Sequence, residues 1–315
     1  MIRSVLRVVT LLACALVVAL GLAACGDGND SPGAKGLLEQ TFRTTATEVK
    51  SGRLTVDAKL DPEGLLALAG PITLKVNGPF AVSPGSGLPT FDLDAGALIA
   101  GRRLPVGVLS DGKQVYLELD GDHYVVDDED VPILDELRSG KDVVALAALG
   151  IDPRRWITDA EEKGSEQIGG VETTRIEGGI DAGRLLSDVG KVLGSQSSAG
   201  GSAEQRERLA EAVKKASVEV WSGQEDKILR QVLVRVTFDF PPGVDSPIPG
   251  LDKGTAEVRA RLDDINGDPP TISAPARSKP FSELPDSGVA GLVKCVSEAL
   301  KQGTSIARCA ANILG

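Results

Sequence analysis

From Arg53 to Leu60 the chain alternates: Leu54, Val56, Ala58 and Leu60 are apolar, while Arg53, Asp57 and Lys59 are charged. A period of two puts the first set on one face of a strand and the second on the other. The pattern recurs at residues 72–77, where Ile72, Leu74 and Val76 share a face, and at 114–119, with Val115, Leu117 and Leu119. It returns at 217–221, with Val218 and Val220, and at 228–240, where Val232, Val234, Val236 and Phe238 oppose Arg235 and Thr237. The last long run sets Ala256, Val258, Ala260 and Leu262 against Glu257, Arg259, Arg261 and Asp263. Strands are also expected at 80–83, 90–93, 98–109, 123–126, 160–168 and 171–180, with Pro105 interrupting the third of these. Asp120-Gly121 and Gly169-Gly170 fall between such runs and predict tight hairpin turns.

Helices are expected at 36–50, as a short turn at 62–69, and at 132–138, 142–149, 153–156, 181–193 and 203–216, with Asp181 as a cap. The class is therefore α+β: about ten hairpin-linked strands in an antiparallel sheet. One aliphatic and one charged face is the signature of such a sheet with one solvated side. A wide twisted sheet curls, and its apolar concave face must be covered, here by the helices.

The first residues carry a different pattern. Arg3 and Arg7 precede a run from Val8 to Leu22 that is apolar but for Thr10 and Gly21. That run is short for a membrane span, which needs roughly 20 apolar residues, and suits a signal peptide over residues 1–24. Leu22-Ala23-Ala24-Cys25 resembles the bacterial lipobox, in which the cysteine receives diacylglycerol and becomes the lipid anchor. An ordinary signal peptide with an incidental cysteine is the alternative. Residues 25–35, polar and glycine-rich, read as a flexible tether. Once Arg3 and Arg7 are removed, 32 basic and 45 acidic residues remain, a formal charge of −13. With aromatics at 3% and no basic stripe, nucleic-acid binding is excluded as a class. The acidity also argues against adhesion of the whole body to anionic head groups.

Cys14 lies inside the signal segment, leaving Cys295 and Cys309 as a pair in an oxidising compartment. On one helix their spacing is roughly 21 Å of rise, beyond disulfide reach. A bridge requires a reversal near Gly303-Thr304, hence a helical hairpin within 286–315: helices at about 287–302 and 305–313. Two free thiols are the alternative. His123 is the lone histidine and reads as a surface residue on a strand edge. There is no nucleophile elbow, no zinc-protease motif and no phosphate loop. The run Asp127-Asp128-Glu129-Asp130 lacks the spaced ligands of a calcium loop and reads as a solvated helix start. No catalytic residue, metal or cofactor is assigned, and the chain is read as a non-enzyme.

Three stretches carry a resemblance. They are Asp111-Gly112-Lys113-Gln114-Val115-Tyr116-Leu117, then residues 168–178 through Gly169-Gly170, then Val218-Glu219-Val220-Trp221 ahead of the strand at 228–238. Thr271-Ile272-Ser273-Ala274-Pro275 looks like a last strand leaving the sheet. Together they resemble the actinobacterial LppX/LprG type of lipoprotein, with its half-barrel fold related to the bacterial lipoprotein carrier. The resemblance spans about 37–285, the single domain being 36–285. The tail after Pro285 and the long loop at 195–202 depart from the family pattern. The resemblance implies an acylated lipid or glycolipid held between curved sheet and helices, at an envelope membrane reached through the Cys25 lipid. The implied lining is Leu54, Val56, Ala58 and Leu60; Ile72, Leu74 and Val76; Val115, Leu117 and Leu119; Val218 and Val220; Val232, Val234, Val236 and Phe238; and Val258 and Ala260. Periodicity alone favours the same side chains as a packed core, which would make the chain an envelope interaction or sensor module.

Overall fold

The computed structural model describes residues 33–64, 70–82, 88–99, 101–127, 153–185, 210–240, 252–268, 271–286 and 288–301. Helix α1 (Ala34–Glu48) leads into β1 (Ser51–Glu63), β2 (Ile72–Ala81), β3 (Thr90–Ile99), β4 (Arg102–Asp111), β5 (Val115–Leu119) and β6 (Asp122–Val126). Then come β7 (Ile157–Ile168), β8 (Val171–Ile180), β9 (Val213–Gly223), β10 (Leu229–Asp239), β11 (Lys253–Asp263), β12 (Lys279–Pro280) and helix α2 (Gly288–Lys301). The twelve strands among the described residues form one curved, unclosed sheet, ordered β12-β6-β5-β4-β3-β2-β1-β11-β10-β9-β8-β7. All neighbours are antiparallel except β12 and β6, which run parallel over two residues. The sheet is thus mixed at one edge, where an antiparallel one was expected.

Alternation makes the sheet two-faced. Val56 lies opposite Val76 in β2 and Ala260 in β11. The row runs on through Ala95 and Val106 on one side, and through Val232, Val220 and Ile176 on the other. It crosses eight strands without a polar side chain. The other face carries a cross-strand charge lattice. Arg235 in β10 pairs with Glu219 of β9 and with Glu257 of β11, the latter at 2.9 Å. Arg175 of β8 reaches Glu219 at 3.3 Å, and Lys75 faces Asp57 at 3.5 Å.

Two hairpin turns fall where expected. Asp120 and Gly121 have φ of 52° and 83°, and Gly169 and Gly170 have 60° and 81°. Both positions of a two-residue turn that follows the strand twist need positive φ, which Asp-Gly and Gly-Gly supply. The β7–β8 arm then bends across the charged face. A Cβ at Gly169 would lie 2.9 Å from Asp263 Oδ1, so the tip reaches β11, three strands away. Beneath the arm Trp221 and Gln231 are buried, and the Trp221 indole donates to Glu166. β7 itself is mostly exposed, rich in Glu161, Glu162, Lys163 and Glu166, and its pairing with β8 is interrupted twice.

Several expectations are corrected. The single strand expected at 98–109 is the close of β3, a turn with Gly101 at φ 76°, and β4. Small Ala95, Gly96 and Ala97 blur the alternation there, and Pro105 is accommodated opposite Gly96. The helix expected to reach 216 gives way at Val213, where β9 begins, because Lys215 and Ala216 pair with Thr237 and Val236 of β10. Tertiary pairing overrides local propensity here. Pro62 and Glu63 lie in β1, not in a helical turn. Residues 271–275 form no strand; only β12 joins the sheet after Asp263. Asp181 does cap: its carboxylate accepts from the Arg184 N–H at 3.0 Å. The helices expected at 132–138 and 142–149 lie outside the described residues, as does the second helix of the C-terminal hairpin.

Candidate functional site: the covered apolar face

The site is the apolar face and what lies against it. All four inward residues of β1 are buried, Leu54 and Val56 at 0% exposure. With Ile72, Leu74, Val76, Phe80, Leu262 and Phe238 they form the central cluster. Toward β10 and β11 the packing loosens: Val232, Val234, Val236, Ala256, Val258 and Ala260 are only half-buried.

Helices cover this face at two places. On α1, Leu38, Thr41, Phe42 and Thr45 recur at helical spacing and are buried. Leu38 and Phe42 pack with Ile176, Val218, Val220 and Leu229, over the β8–β10 part of the face. Threonines are weak helix formers, so α1 depends on this contact. Its threonines also make a polar seam. Thr41 Oγ1 and Ser222 Oγ are hydrogen-bonded at 2.7 Å, both fully buried. The Leu229 N–H donates to Thr45 Oγ1 at 2.8 Å, and Thr45 in turn donates to the Thr41 carbonyl at 2.7 Å.

The second cover comes from the chain's far end. Phe281, Leu284 and Ala290 join Val115, Leu117, Leu119, Tyr124 and Val126 in one buried cluster, with Val289 and Val293 of α2 against it. Strand β12 fastens this segment: Lys279 Nζ meets Asp122 Oδ2 at 2.6 Å and lies 5.8 Å from the Tyr124 ring centre. Its hydrogen bond to Asp122 raises the Lys279 pKa.

Every expected lining residue therefore lies in one of three contiguous clusters on, or packed against, a single sheet face. Sequence reasoning missed Leu93, Ala95 and Ala97 of β3 and Leu104, Val106 and Val108 of β4, which complete it. Their signal was the turn at Gly101. It also missed that the tail after Pro285 packs on the face. Cys295 lies half-buried on α2, while Cys25 and Cys309 are outside the described residues.

The polar candidates lie elsewhere. His123 Nε2 is 3.5 Å from Glu118 Oε2, its side chain 27% exposed. Of the acidic run only Asp127 is described. Among the described residues no three His, Cys, Asp or Glu side chains gather as a metal ion would need. Tyr116 is buried away from the apolar face; burial first, then the Asp111 carboxylate, raises its pKa. Arg235 is likewise held protonated by its bonds to Glu257 and Glu219.

No protein-family model matches the chain. No curated protein matches it either. Among solved structures it is similar to the lipoprotein LppX of Mycobacterium tuberculosis, at 14% identity and a TM-score of 0.41, covering 76% of this chain and 98% of that one. LprF from Mycobacterium bovis is similar at 16% identity and a TM-score of 0.43, covering 79% of this chain and 100% of that one. An outer-membrane lipoprotein-sorting protein domain from Vibrio parahaemolyticus is similar at 9% identity and a TM-score of 0.21, covering 73% and 92%.

Proposed function

We propose that this chain is an extracytoplasmic lipoprotein, cut before Cys25 and held at the outer face of a membrane by lipid on that cysteine. In this reading it binds or shuttles an acylated lipid or glycolipid between its apolar sheet face and the covering helices. The observation that carries the reading is the apolar row, aliphatic across eight strands and half-buried over β10 and β11. Acyl chains need such walls, with polar groups few and placed at one point. The Thr41–Ser222–Thr45 seam is such a point. The lipobox-like Leu22-Ala23-Ala24-Cys25 supports the location. The reading assigns no catalytic role to any residue.

One observation favours a second reading. Leu54, Val56, Ile72 and Val76 are at most 1% exposed, as in a filled core. A non-enzymatic envelope interaction or sensor module would have that interior. Lipid mass spectrometry separates the two, on residues 26–315 purified without detergent. A stoichiometric acylated lipid, not found on a control protein of similar acidity from the same host, is the expected result. No lipid, together with a crystal structure whose interior is too small for an acyl chain, would leave the interaction module.

A further inference from the structure

We propose that the tip of the β3–β4 hairpin is a membrane foot, in which Leu98, Arg102 and Arg103 rest on an anionic bilayer surface. Leu98 is the exposed large hydrophobic side chain among the described residues, at 38%. Its cross-strand partner is Arg103, and Arg102 precedes it, both exposed. Neither arginine is in an ion pair among the described residues. The arginines of the charged lattice contrast with them: Arg175, Arg235, Arg259 and Arg261 each face a carboxylate. An apolar side chain paired across the strands with one uncompensated cation, and a second cation on the opposite face of the same tip, match the chemistry of an anionic lipid surface, with head groups outside and acyl chains within.

The position of the tip argues for the same occupant. One row of the sheet runs from Leu98 through Thr73, Lys59, Glu257, Arg235, Ser217 and Gly179 to Thr158. Ile157 and Ile180, a residue from that row, share a cluster with Ala34 and Leu37 at the start of α1. The tip and the first turn of α1 therefore lie at one end of the sheet. Eight residue steps separate Gly33 from Cys25, a reach of about 28 Å at full extension. This orientation rests on reading Cys25 as the anchor. The formal charge of −13 on the chain from Gly26 onward is no obstacle at physiological ionic strength, where screening limits repulsion from distant carboxylates to about 8 Å.

The test uses the chain from Gly26 onward, which keeps every described element and lacks the anchoring cysteine. It is expected to co-sediment with phosphatidylglycerol-containing vesicles and not with phosphatidylcholine vesicles, and to dissociate as salt rises. Arg102→Gln with Arg103→Gln should weaken binding by about thirtyfold at physiological ionic strength. Leu98→Trp should give a fluorescence that brominated lipid quenches. Circular dichroism unchanged in these surface variants shows that the fold is intact. Equal binding to both vesicle types, binding untouched by the double variant, fluorescence of the Leu98→Trp variant that brominated lipid leaves unquenched, or a tip that instead joins two copies in light scattering would overturn the proposal. Because Cys25 is absent from this assay, failure here is separate from failure of the anchor, which is read by fractionating Cys25→Ala.

Discussion

Gly78 marks the tightest approach on the apolar face. A Cβ there would sit 1.9 Å from the Asp92 carbonyl oxygen of the neighbouring strand, a backbone atom that moves only with β3. Gly78→Ala is expected to cost about 1–3 kcal/mol, read as a lower urea midpoint at unchanged slope. Thr45 illustrates a different dependence. Thr45→Val keeps the shape but leaves the buried Leu229 N–H without its acceptor, at about 1–3 kcal/mol in the same assay. Tyr116 supplies a pH effect. Its folded pKa is raised by burial above the usual tyrosine value of about 10. Its contribution to stability is complete below that value and is lost as pH rises through the folded one. Alkaline titration followed by tyrosinate absorbance should show a late phase that Tyr116→Phe removes. None of the three was legible from sequence, since each depends on which atom a distant strand brings close.

At the scale of elements, legibility followed side-chain size. Leu54, Val56 and Leu60 contrast sharply with Arg53 and Lys59, and β1 was evident although three residues longer than expected at its far end. β3 alternates with alanine and glycine, so its hydrophobic contrast is small: its start read as a separate piece at 90–93, and its close read on into β4 as one strand at 98–109. The covers were harder still. An amphipathic helix announces a buried face but not the partner that buries it. The sequence of α2 led to a separate C-terminal module, yet Ala290 packs with Leu117 and Phe281. Ala290→Asp should therefore destabilise the sheet itself by about 2–4 kcal/mol, through a carboxylate placed in an apolar cluster. The Cys295–Cys309 bridge remains our proposal for the end of this element. Cys295→Ser should alter mobility only without reductant, and thiol labelling of both native cysteines would refute the bridge.

For the whole molecule, the sequence conveyed an α+β chain with one apolar sheet face needing helical cover, and that is the architecture seen. The order of strands was not legible, because β1 pairs with β11 from the far part of the chain. Local patterns specify faces; only the assembled register brings Val56 beside Ala260. Cys25→Ala tests the anchor at this scale: the protein should move from the membrane to the soluble fraction, and retention would count against lipid attachment.

The two ends of the sheet differ from each other in a way that bears on crowding. An unclosed sheet offers, at each border, unmatched backbone groups onto which another copy can add, and tethering to a surface multiplies such encounters. Here one border is the two-residue β12, whose Pro280 has no N–H to give, and the other is β7, bent, twice interrupted and lined with glutamate. Neither is a template that a second molecule can extend. The protein can therefore keep a curved sheet open at both borders without offering an edge along which copies would add into a fibril.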